Sequence, residues 1–184
     1  MLGLFLLGLG GGIWFFLTPG SQDQAEREAF EARAAYDEAV AKLEKALNNP
    51  NSVDSSIDRN ASFRCLFSAD GKCAGQGGTF LLYESARSQR PLSQLEHSAG
   101  TDLSGGPCRG FPSKQCPLRV ETVWEPVCGG AQCEGTNSLR VKAKVTLAPI
   151  IGPEAPLQWS KENLFTPQIQ LSQATQCMRG GGEW

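Results

Sequence analysis

The chain has 184 residues, with 17 Lys plus Arg against 19 Asp plus Glu and a single His. A formal charge of -2 gives no electrostatic case for nucleic acid as a partner. With 40% hydrophobic and 20% charged residues, the chain is composed to fold rather than to stay disordered. Its length suits one globular domain with an appendage. Gly and Pro gather mainly after residue 50, which predicts turns and short strands there.

The chain opens MLGLFLLGLGGGIWFFLTPGSQDQ, and residues 1–18 read as an apolar segment in which Leu2 to Leu17 carry no charge. As a helix this run would span about 24 Å at ~1.5 Å per residue, against a hydrocarbon core of about 30 Å. Three readings compete. One is the apolar part of an export signal, which lacks the basic residues expected ahead of it. Another is a buried core helix, disfavoured by Gly10-Gly11-Gly12. The third is the membrane-inserted start of a longer helix. Gly8 and Gly12, four residues apart, would let a second helix approach closely, and Trp14 suits a membrane interface. Leu2, Leu4, Phe5, Leu6, Leu7, Ile13, Phe15 and Phe16 supply apolar surface for lipid or for neighbouring helices. The glycine and aromatic placement favours the third reading.

Residues 21–49 read as a long amphipathic helix. Ser21 with Gln24 forms a capping box after Pro19-Gly20, and Asn48-Asn49-Pro50 ends the run. Ala25, Ala29, Ala32, Tyr36, Val40, Leu43 and Leu47 recur at spacings of three and four, which makes one apolar stripe. The stripe is small at its start and bulky at its end, so the second half is expected to pack hardest. The acidic residues between Asp23 and Glu44 alternate with Arg and Lys as on a solvated face.

Residues 50–177 read as an antiparallel β head, and 178–184 as a flexible tail. In SLRVKAKVTLAP, Leu139, Val141, Ala143, Val145 and Leu147 alternate with polar residues, giving a strand with one buried face. PLRVETVWEPV is a second strand, carrying Val120 and Trp124, and the segment from Cys128 to Asn137 is the turn between them. GTFLLYE is a third strand, with ASFRCLF and PQIQLSQ as weaker ones. A polar loop covers Ser85 to Ser113. One sheet needs its apolar face covered. Tyr36, Val40, Leu43 and Leu47 are therefore expected to pack on Val120, Trp124, Leu139, Val141 and Val145, giving an α+β fold with the helix across the sheet.

Seven cysteines are numerous for this length, none forms C-x-x-C, and His97 is the one histidine available to a metal. Disulfides in an oxidising compartment fit better. Local pairs would join Cys65 to Cys73, Cys108 to Cys116 and Cys128 to Cys133, leaving Cys177 unpaired. No phosphate-binding glycine loop, G-x-S-x-G or H-E-x-x-H occurs, so no catalytic residue, metal or cofactor is expected. His97, in SQLEHSAG, reads as a solvated loop residue.

An apolar head, a long amphipathic helix and a cysteine-rich sheet in that order resemble the type IV pilins and the pseudopilins of type II secretion. ASFRCLFSADGKC and CPLRVETVWEPVCGGAQC look like the heads of minor pilin-like proteins. The resemblance implies a filament subunit, a minor pilin whose job is assembly, whose apolar segment is held in a bacterial inner membrane before assembly and in the filament core afterwards. Its head would be periplasmic or extracellular, at the cell surface once assembled, and its partners would be other pilin-like subunits, the assembly machinery and the inner membrane. The family's basic leader and fifth-position glutamate are not in this sequence, where position five is Phe5. They are expected upstream of Met1. The alternative is a membrane-tethered or secreted disulfide-rich module whose head recognises a protein or glycan.

Overall fold

The computed structural model describes residues 19–67, 77–127, 138–149 and 156–166. The first element is α1, Pro19–Leu47, a helix of 29 residues and about 43 Å at ~1.5 Å per residue. Ser21 lies inside it, so the expected capping box does not start the helix. After Leu47 the chain does not enter the sheet. Asn49 caps a second helix, α2 (Pro50–Ile57), its side chain accepting from Asn51 N at 3.1 Å, with Pro50 in the first turn where a missing N–H costs nothing. Pro50 thus ends one helix and opens the next.

ASFRCLF, expected as a weak strand, is instead a 3-10 helix, Ala61–Phe67. Its purpose in the fold is Phe63, fully buried and stacked on Trp124 with centroids 4.6 Å apart, and edge-on to Phe80 at 5.2 Å.

The sheet has β1 (Gly78–Thr79), β2 (Ala99–Thr101), β3 (Pro107–Arg109), β4 (Leu118–Val127), β5 (Ser138–Leu147) and β6 (Leu157–Phe165). Their order is β3-β2-β4-β5-β6, with β1 also paired to β4, and every described pairing is antiparallel. Register places Val120 beside Val145 and Trp159, and Trp124 beside Val141 and Asn163. The polar stretch expected as a loop holds the β2–β3 hairpin. β6 carries no clean alternation of apolar residues because its core-facing Lys161 and Asn163 are polar. They bind the end of α1: Lys161 Nζ reaches Glu44 at 3.1 Å and Asn48 at 3.2 Å, and Asn163 Nδ2 donates to the Leu47 carbonyl at 3.0 Å. The Asn163 bond satisfies a carbonyl at the helix terminus, and the Lys161 bonds tie side chains there to β6.

Only Gly78–Thr79 of the expected strand GTFLLYE pairs in the ladder. The rest is held by two backbone bonds, Phe80 N to the Thr122 carbonyl at 3.2 Å and Leu92 N to the Leu82 carbonyl at 2.7 Å, and by side chains. Leu81 N donates to Asn60 Oδ1 at 2.7 Å, Leu82 N to Ser93 Oγ at 2.8 Å and Tyr83 N to Ser56 Oγ at 2.9 Å. Phe80 and Leu82 are fully buried nonetheless. PQIQLSQ lies outside the described residues, as does the turn from Cys128 to Asn137.

Candidate assembly surface

The core defines what is left over. Tyr36, Leu43 and Leu47 of α1 are buried with Val120, Trp124, Leu139, Val141 and Val145 of the sheet, while Val40 is partly buried at the edge of this cluster. Burial pushes the Tyr36 phenol above its ordinary range. From residue 23 to residue 31 none is buried, and Ala32 is the first buried residue after them. Of the expected stripe, Ala29 is exposed and Ala25 half-buried. α1 therefore has two parts: one covers the sheet, and the other, residues 23–31, has no buried residue.

Phe30 stands on the uncovered part and is 75% exposed, the most exposed large apolar side chain among the described residues. Asp23, Glu26, Arg27 and Glu31 surround it in a shallow depression. Sequence reading passes over Phe30 because it lies off the apolar stripe. That displacement was itself the available signal: a large aromatic among charges, on a face no core can use.

On the other flank of α1 lies a half-open cleft of about 150 Å³. Its floor is Leu43, Leu118 and Val120, with Leu92 as a wall, and the small side chains of Ala35 and Ala39 leave the room. The far rim is the loop TDLSGG. There Asp102 Oδ1 accepts from Ser104 N at 2.9 Å, Ser104 Oγ at 2.7 Å and Gly106 N at 2.8 Å. Gly105 completes the turn at φ +82°, a conformation that side chains rarely adopt. The Ser104 hydroxyl and Gly106 amide hold the Asp102 carboxyl below its usual range, so the rim carries a fixed negative charge. On the near rim Lys42 lies 2.6 Å from Glu38 and lowers that carboxyl by hydrogen bond and charge. The Asp-x-Ser-Gly-Gly pattern is a turn signal, but nothing local says that it faces a helix.

Cys108 and Cys116 are joined, with Cα atoms 5.5 Å apart, and tie β3 to the entry of β4. Gly100 lies beneath: a Cβ there would stand 2.8 Å from Cys116 Sγ and 2.5 Å from the Leu118 carbonyl oxygen. His97 is exposed, but its carbonyl accepts from Arg119 Nη1 at 2.8 Å and its Nδ1 lies 2.9 Å from Arg119 Nη2. Arg119 is nearly buried and also pairs with Glu121 at 2.8 Å. On the sheet's outer face Glu125 lies between Lys142 at 3.1 Å and Arg140 at 3.6 Å. The bond from Lys142 lowers the Glu125 carboxyl.

Cys65 falls in the 3-10 helix with its side chain outside the described residues; Cys73, Cys128, Cys133 and Cys177 lie outside them altogether. So do Leu2, Leu4, Phe5, Leu6, Leu7, Gly8, Gly12, Ile13, Trp14, Phe15 and Phe16. Among the described residues no helix is long and apolar enough to cross a membrane. No group of three metal-ligating His, Cys, Asp or Glu side chains occurs among them either. No family model, no curated protein and no solved structure matches the chain.

Proposed function

We propose that this chain is a structural subunit of a pilus-like or pseudopilus filament, of the minor kind, anchored in an inner membrane before assembly. The observation that supports it is the division of α1. Residues 32–47 close the core, whereas residues 23–31 have no buried member and follow the uncharged run Leu2–Leu17 after five residues, Thr18 to Gln22. In this reading the apolar run and the uncovered helix pack against their equivalents in other subunits. Gly8 and Gly12 admit close approach, and apolar burial supplies most of the association energy. The sheet and its disulfide-tied hairpin then form the outward head.

The test is assembly of the full chain in its native membranes. Sheared material should contain filaments, seen by electron microscopy, whose subunit mass includes the run Leu2–Leu17. A mature terminus near Ser21, found by N-terminal sequencing of the membrane-extracted protein, would mean that the run is removed on export. The filament reading would then fall, and a secreted binding module would stand in its place.

A further inference from the structure

The strand order ends on β3 at one side and on β6 at the other, and the two edges are guarded differently. β3 has only three residues, with Pro107 and an exposed Arg109, so it offers little backbone to another strand. β6 runs for nine residues, LQWSKENLF, with no proline inside it and no skipped residue in its register against β5. Its two charges are engaged elsewhere: Lys161 with Glu44 and Asn48 at the end of α1, and Glu162 with Arg140 at 2.8 Å. The edge turned away from β5 therefore carries a row of N–H and C=O groups with no backbone partner among the described residues. An edge of this length and regularity is a template for a further strand.

The chain that follows β6 fits that edge. It continues from Thr166 as PQIQLSQ, in which Ile169 and Leu171 alternate with polar residues as a half-buried strand requires. Pro167 cannot donate to a ladder and suits the connecting turn. Leu164, which shares the sheet's outer face with Arg140, is 65% exposed and lies next to where such a strand would run. A segment tied to the end of β6 also meets this edge at a far higher effective concentration than a separate chain does.

We infer that the free edge of β6 is a strand-accepting surface whose occupant is the chain's own segment 168–173, paired antiparallel after a reversal at Pro167. Ile169 and Leu171 stand on the face of Leu164, where apolar side chains across neighbouring strands cover one another. Gln170 and Ser172 stand on the face of Asn163 and Lys161, polar beside polar. The long edge of the sheet is then closed by the chain itself rather than offered to a second copy. The inference is independent of the filament reading.

The experiment is amide hydrogen exchange followed by NMR on the full, isotope-labelled chain, dispersed as a monomer in detergent. The expected result is slow exchange at alternate amides within 168–173 and at the β6 amides turned away from β5. A nuclear Overhauser contact should join Leu164 to Ile169 or Leu171. Successive amides of a strand point to opposite sides, so one of Gln170→Pro and Leu171→Pro removes a donor to β6 and the other does not. That variant should speed exchange at the outward β6 amides about tenfold or more, while the amides bonded to β5 stay protected and report an intact fold. Free exchange throughout 168–173 would overturn the inference. So would protection of the outward β6 amides that rises with protein concentration and survives both variants, because a second copy would then hold the edge. Both outcomes leave the filament reading standing, since that reading is tested by sheared filaments and the mature terminus.

Discussion

The two parts of α1 differ in what covers them, although both are charged, amphipathic helix. Between Ala32 and Leu47 the helix is held from three sides: the β4–β5 core, the Asn163 and Lys161 bonds at its end, and α2 beyond. From residue 23 to residue 31 its bonds among the described residues run along its own length, such as Gln24 to Glu28 at 3.1 Å. Such i,i+4 contacts contribute a few tenths of a kcal/mol each. The difference teaches that an amphipathic pattern identifies a face to be buried without saying by what. The folded chain answers for residues 32–47, while no residue from 23 to 31 is buried.

The sharpest way to break the comparison is through the covered part. Trp124→Ala removes a side chain 1% exposed and stacked on Phe63. It should cost about 3–5 kcal/mol in denaturant unfolding. Cys108→Ser with Cys116→Ser opens a loop of sequence separation 8. It should cost about 2–3 kcal/mol from chain entropy, read as the difference from the oxidised parent. Asn60→Ala should cost about 1–3 kcal/mol, because Leu81 N and O lose the amide that serves both.

Acid tests the cleft rim and the outer face. Asp102 and Glu125 are held below their ordinary values in the fold. The stabilisation they give is therefore complete above the unfolded-state value and is lost as pH falls through the depressed folded one. Melting temperature should decline on acidification through that window. Asp102→Asn, which removes the titrating group but keeps a side-chain oxygen acceptor, should show a shallower decline. The smallest stability effect belongs to the uncovered part: Phe30→Ala should move unfolding by no more than about 0.5 kcal/mol. If it destabilised the monomer as Trp124→Ala does, the ring would have a partner within its own chain, and the contrast between the two parts would disappear.

Some of this could be read directly from the residues. The spacing of Tyr36, Leu43 and Leu47, the alternation from Leu139 to Leu147, and the short gap between Cys108 and Cys116 are local patterns. Local backbone geometry turns such patterns into a helix face, a strand face and a closed loop. Other features depend on groups far apart in the chain. Asn60 meets Leu81, Ser56 meets Tyr83, and Lys161 meets Glu44, so the segment after Thr79 leaves the ladder and β6 tolerates polar residues on its inner face. The cleft is of the same kind, being assembled from α1, the 91–94 segment, the Asp102 turn and β4. The sequence by itself determined which residues seek burial, because side-chain chemistry and backbone period are local. Only the tertiary structure decided which of them found it, because burial depends on groups far apart in the chain: on one helix Ala32 is 2% exposed and Phe30 75%.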